Sequence, residues 1–226
     1  DYSGEFIKQS YETYTRLSNA RTKELMVLEE KNNKLTIELA SLEGDFDFGV
    51  DFEDVSLISN RHFKYKSKSE SERNKLSVSD YCSSLVSYSI GCIMGRYSLD
   101  RDGLVYAHQG NKEFEKLIAN GTYQSFAADE DGIIPLTDQE WFKDDATNRF
   151  REFVQVVWGE EHLQENLDFI AESLCLNAIK PLSKKGQSES ALETIRRYLS
   201  TQFYKDHLKT YKKRPIYWLF SSGKQK

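Results

Sequence analysis

Proline is almost missing from this chain: three in 226 residues, at positions 135, 181 and 215, none beside another. Its twelve glycines are scattered, and no two are separated by a single residue. These two absences exclude a dinucleotide-binding glycine turn and a Gly-x-Ser-x-Gly nucleophile elbow, and no Gly-Lys-Ser/Thr phosphate loop is present either. Cysteine is scarce. Cys82, Cys92 and Cys175 are an odd number at spacings that match no zinc pattern, so they read as reduced, buried, small apolar groups of a cytoplasmic protein. Of the four histidines, His62, His108, His162 and His207, none has a second at metal-ligand spacing. No apolar run approaches about eighteen residues and no signal segment opens the chain, so neither a membrane span nor secretion is predicted.

What is present is a polar, charged and periodic sequence with a net charge of −5. Its length suits one large domain or two small ones, able to bury roughly 70% of the unfolded surface without a staple. From Glu5 to Glu43 there is no proline or internal glycine. Apolar residues at Ile7, Tyr11 and Tyr14, then Leu25, Leu28, Leu35, Leu39 and Leu42, fit an a/d heptad interrupted by Ser18, Arg21 and Asn32, predicting a helix of about 40 residues. Two readings stand: a coiled-coil dimerisation arm with Asn32 setting the register, or a seam packed on another helix of the same protein.

The stretch Ser77 to Asp100 predicts a second helix, capped at Ser77 or Ser79, nearly uncharged and buried on most sides. Ser84, Ser87, Gly91 and Gly95 recur along one stripe and predict close packing there, with bulk supplied opposite by Leu85, Tyr88, Cys92 and Ile93. Between the two helices lies an acidic loop, Gly44 to Asp51, whose glycine and missing twelfth glutamate do not fit a calcium loop. Further helices are predicted over Glu113 to Ala119, around Phe150 to Trp158, from Glu160 to Leu176, and over Ser190 to Tyr211, with a capping box at Thr137 and Glu140. The fold class is therefore mainly α: a long N-terminal helix packed with a multi-helix bundle, with short strands near 104–106 and 215–220. The expected division is a spacer helix at 1–43, an acidic loop and basic linker at 44–76, and a helical domain at 77–226. Asp1 in place of methionine, and the apolar run Ile216 to Phe220 with no partner strand after it, predict a piece of a longer polypeptide.

Two basic groups are candidates for contact with phosphates. Arg61, Lys64, Lys66 and Lys68 interleave with aromatic residues, just before the polar linker Ser69 to Lys75. Lys209, Lys212, Lys213 and Arg214 close the last helix. The first is equally readable as a solvated basic linker.

Several words of this sequence carry a family resemblance. Ser-Ile-Gly-Cys-Ile-Met-Gly-Arg-Tyr-Ser-Leu-Asp (Ser89 to Asp100), followed by Gly103-Leu104-Val105-Tyr106-Ala107, resembles a segment of the adenine-specific DNA methyltransferases of BREX phage-defence systems, the PglX type. Arg149 to Phe153 leading to Gly159-Glu160-Glu161-His162, Phe203 to His207, and Lys213 to Ser222 resemble later parts of the same family in the same order. The resemblance implies a parent protein that transfers a methyl group from S-adenosylmethionine to adenine N6, marking host DNA. It also implies that this stretch is a C-terminal, non-catalytic helical portion following the target-recognition region. With no two prolines adjacent there is no Asn-Pro-Pro-Tyr motif, so no catalytic, cofactor-binding or metal-binding residue is assigned in this chain. The partners implied are the rest of the parent methyltransferase, duplex DNA bound weakly through the two basic groups, and other BREX proteins. The alternative is a stand-alone helical interaction module that dimerises through the N-terminal heptads.

Overall fold

Leu163, Leu167, Ile170 and Leu174 recur at three- and four-residue spacing, and the helix they form is the one the others gather round. The computed structural model describes residues 4–42, 44–108, 112–184 and 187–221. Its helices are α1 (Ile7–Ala40), α2 (Arg61–Lys64), α3 (Glu70–Ile93), α4 (Phe114–Ala119), α5 (Ala146–Trp158), α6 (Leu163–Cys175), α7 (Ala191–Tyr198) and α8 (Tyr204–Thr210). A π-helical turn, Leu199–Phe203, joins α7 to α8, so 191–210 is one winding stretch of helix. The fold is mainly α, as expected, and α6 packs against α1, α3, α5 and α7. Leu167, Ile170 and Leu174 meet Cys82, Val86 and Ile93 of α3, Phe150, Phe153 and Val154 of α5, and Ile195 and Tyr198 of α7 in one buried cluster. Each such aliphatic side chain stabilises the folded state by about 1.5–3 kcal/mol.

The start of α1 is held from across the chain. Phe6 precedes the helix without a side-chain cap, so the first backbone N–H groups need partners from elsewhere. Asn166 of α6, itself buried, supplies one. Its Oδ1 accepts from the Ile7 N–H at 2.7 Å, and its Nδ2 donates to the Glu5 carbonyl at 3.0 Å. Trp158 Nε1 donates to Ser10 Oγ at 3.1 Å, and the Phe6 ring lies 4.3 Å from that of His162. Beyond Ile7 the buried residues of α1 are Ser10, Ser18 and Thr22. These small side chains let α1 lie close to its neighbours, and Ser18 Oγ donates to the Ser59 carbonyl at 2.7 Å.

The leucines of α1 follow the opposite pattern. Leu28, Leu35 and Leu39 are 60%, 58% and 87% exposed. The far half of α1 meets the loop after it through another face, where Asn33 Nδ2 donates to the Phe48 carbonyl and Glu30 accepts from the Val50 N–H. Among the described residues no second helix covers the leucine seam.

Several features differ from expectation, among them the end of α3 at Ile93 and the start of α6 at Leu163. α3 begins at Glu70, within the stretch read as a linker, because Ser69 and Glu72 form a reciprocal capping box upstream of Ser77. α5 is capped by Asp145, whose carboxylate accepts from the Thr147 N–H at 2.9 Å, and not by Thr137 with Glu140. Buried Asp145 also receives Arg196 of α7 at 2.7 Å, and Arg196 gives a further bond to the Thr137 carbonyl, so the loop before α5 serves as a tether. No strand forms at 104–106, where the Val105 N–H turns to the Arg96 carbonyl instead, nor at 215–220, where Trp218 and Phe220 are 80% and 90% exposed. The strand pairing that does form is two residues long, Ser183–Lys184 against Gln187–Ser188.

Asn166→Ala should leave the buried Ile7 N–H unsatisfied and take the donor from the part-buried Glu5 carbonyl. The expected loss is about 2–3 kcal/mol in urea unfolding, with partial recovery in Asn166→Asp; a loss under about 0.5 kcal/mol would show that the clamp carries no stability.

Candidate nucleic-acid interface

The first basic group is laid out by a buried asparagine. Asn60 caps α2, accepting from the His62 N–H at 3.0 Å while donating to the carbonyls of Phe52 and Val55 at 2.8 and 3.0 Å. The turn thus fixed sets each cation beside a carboxylate. Arg61 meets Glu70 at 2.8 Å, Lys64 meets Asp80, Lys66 meets Asp54 at 2.6 Å and Glu53 at 3.6 Å, and Lys68 meets Glu72 at 3.8 Å. The hydrogen bond to Asp54 holds the Lys66 ammonium above its ordinary value. Such exposed pairs stabilise by only about 0–1 kcal/mol each, but a phosphate arriving here must displace a carboxylate that is already bound.

The second group is bare. Lys209, Lys212, Lys213 and Arg214 are exposed and make no ion pair among the described residues. Lys212 and Lys213 follow α8 with left-handed backbone, at φ 51° and 64°, and the Lys213 N–H returns to the Leu208 carbonyl at 2.7 Å. Cations at this end complement the negative pole of the helix, which gives them a local reason to be there. Next to them in sequence stand exposed Trp218 and Phe220, so charge and open aromatic surface come together at this corner.

This corner is attached to the core by His207, buried between the rings of Tyr211 and Tyr217 at 4.8 and 5.0 Å. Its Nε2 accepts from the Ile216 N–H at 3.0 Å. The small-residue stripe of α3 takes part here. A methyl group on Gly91 would run into the Tyr97 ring, with the Tyr217 hydroxyl 3.4 Å away. Gly95 lies just past α3 at φ 68°, where a Cβ would be 2.6 Å from the Phe114 ring. Ser84 is exposed and Ser87 half-buried. Aromatic rings, not a helix backbone, lie against the two glycines.

Little else offers chemistry. Burial pushes the Cys82 and Cys92 thiols up to about 12, so neither supplies a thiolate at neutral pH. His162 lies between Glu5 and Glu165 at 3.6 and 3.3 Å, and His62 beside Arg73. Among the described residues no group of three His, Cys, Asp or Glu side chains converges as a metal site, and no helix is long and apolar enough to cross a membrane. The sequence reading passed over Lys8, Arg16, Lys23 and Lys75, dispersed cations whose one signal is the recurrence of 8, 16 and 23 on a single side of α1.

Comparison with known proteins gives two relatives. The chain is 56% identical over 224 residues to the "Adenine-specific methyltransferase BrxX" of Escherichia coli O9:H4 (strain HS), covering 97% of this chain and 18% of that protein. It is 34% identical over 221 residues to the "Adenine-specific methyltransferase PglX" of Lacticaseibacillus casei (strain Zhang), covering 96% of this chain and 16% of that protein. No family model matches the chain.

Burial, with the Arg96 guanidinium adding to it, holds His207 below the ordinary imidazole value. A depressed value means that this side chain's contribution to stability is present above about pH 6.5 and is lost as pH falls through the folded value. Amide protection at Ile216, corrected for intrinsic exchange, should drop between pH 7.5 and pH 5.5. His207→Gln, which keeps an acceptor but does not titrate, should remove that drop; an unchanged pH profile in the variant would contradict the assignment.

Proposed function

We propose that this chain, which is homologous over nearly its whole length to one segment of the BREX-type adenine-specific methyltransferases, is a non-catalytic helical scaffold of such an enzyme, and that it contacts DNA through its exposed cations. The observation that carries the reading is the pairing of that homology with a sequence holding neither adjacent prolines nor closely spaced glycines. Methyl transfer to an exocyclic amine needs a preorganised acceptor pair for the flipped base and a glycine-rich turn at a helix start for the cofactor. In this reading S-adenosylmethionine binds elsewhere in the parent protein. This segment holds neighbouring parts in place and adds non-specific affinity for the duplex, with other BREX proteins as further partners.

The C-terminal corner is the better placed of the two basic groups, since Lys209, Lys212, Lys213 and Arg214 have no carboxylate to give up among the described residues, whereas Lys64 and Lys66 do. A second reading rests on the bare leucines of α1. Leu28, Leu35 and Leu39 would cover one another in a homodimer with Asn32 fixing the register. Sedimentation at several concentrations separates the two, because Leu28→Glu with Leu35→Glu abolishes such a dimer and leaves a monomer unchanged.

The chain should bind a random-sequence duplex weakly and take up no labelled S-adenosylmethionine. Lys212→Glu with Lys213→Glu should weaken duplex binding about tenfold at 50 mM salt and lower the slope of log K against log salt by about 2, while Lys64→Glu with Lys66→Glu should change it little. Stoichiometric cofactor uptake, or methyl transfer to adenine by this chain alone, would overturn the non-catalytic assignment.

A further inference from the structure

A cleft of about 820 Å³ lies between α1, α2, α3 and α6, and none of the sequence words above points to it. α1 contributes one continuous side: Lys8, Tyr11, Glu12, Thr15, Arg16, Asn19, Ala20 and Lys23 all line it. Their recurrence every three or four residues follows from the helical period. Val78 of α3, Phe169 of α6 and Leu176 just past α6 make the lining largely apolar, and Arg61 and Lys75 add positive charge.

The charge distribution is lopsided. Five cations line the cleft, Lys8, Arg16, Lys23, Arg61 and Lys75, against one carboxylate, Glu12. Arg61 is held by Glu70, but Lys8, Arg16, Lys23 and Lys75 make no ion pair among the described residues. This occurs in a chain whose net charge is −5, so the excess of cations along the cleft is local. Like charges gathered over a low-dielectric wall repel one another and focus a positive potential into the cleft. That arrangement is offset when an anion fills it.

The spacing selects the kind of anion. Lys8 and Lys23 are fifteen residues apart on an unbroken helix, which sets them about 22 Å apart along its axis. A single small anion cannot reach across that distance, whereas a chain of phosphates can, and Tyr11 and Phe169 offer aromatic surface to sugars or bases beside them. We propose that this cleft binds the phosphodiester backbone of a nucleic-acid strand, with Lys8, Arg16, Lys23 and Lys75 as the phosphate contacts. The inference rests on the nucleic-acid reading above and adds to the C-terminal corner a second contact, along α1.

The test compares three forms of the chain by fluorescence anisotropy from 25 to 200 mM NaCl: wild type, a cleft variant (R16E, K23E, K75E) and a corner variant (K209E, K212E, K213E). The substituted side chains are exposed, and equal thermal melting of the three establishes that the fold is kept. A neutral cleft variant (R16Q, K23Q, K75Q) takes the place of the first should it melt early. The probes are a duplex, a single strand of the same length and poly-glutamate. The cleft variant should lose at least about tenfold in affinity for duplex or single strand, with the salt slope falling by about 2–3. The better-bound of those two probes identifies the form the cleft takes. Retention of wild-type affinity and slope by the cleft variant, with loss in the corner variant, overturns this inference and leaves the proposed function standing. Absence of nucleic-acid binding by the wild type overturns both, and tighter binding of poly-glutamate than of either oligonucleotide overturns the choice of partner.

Discussion

A side-chain amide caps a helix that begins 159 residues before it, and much of this structure depends on that bond. Asn166 reaches from α6 to the first N–H of α1, where Phe6 can offer no capping oxygen of its own. Unsatisfied donors at a buried helix start are costly, so the amide fixes both where α1 begins and how it leaves the core. Serines and a threonine, not leucines, carry the contact onward. The result is a helix held at one end, one side of which walls the cleft while its leucine seam runs out uncovered.

Charge is sorted around that frame. The acidic residues around Asp54 and Glu70 lie against the cations of α2 and the turn after it, so the most basic word in the sequence is internally matched. Cations that look dispersed in sequence, at 8, 16 and 23, converge because the helix places every seventh or eighth residue on one side. A negative net charge is compatible with local positive surface when the carboxylates are spent on other partners. In this fold those partners include Lys64, Lys66, Lys68, Arg61 and Arg196.

The helical class, the length of α1 to within a turn at each end, the stripe of α5 ended by Gly159 and the continuous helix after Ser190 were all legible, because each rests on local periodicity and caps. The Ser69–Glu72 capping box was legible too and was passed over for the later serines, since the charged residues around it suggested a linker. The role of Asn166 could not be read from sequence, as its partners are remote. Long-range contact also explains the inverted reading of α1. A heptad pattern reports where leucines lie, not whether anything covers them, and the buried side of the helix uses residues that look like interruptions. Ile216 to Phe220 misled for a similar reason. Its apolar run suggested a covered strand, but His207 and the rings around it pin Ile216 and Tyr217 alone and leave Trp218 to Phe220 outside.

Amide hydrogen exchange along α1 tests the one-ended anchoring most directly, since it reads the opening free energy residue by residue. Protection close to that of α6 is expected from the first hydrogen-bonded amides after Ile7 through Thr22, falling steadily beyond Lys23 toward Leu39. Uniform protection along the whole helix, or early exchange in the turn that Asn166 caps, would contradict it.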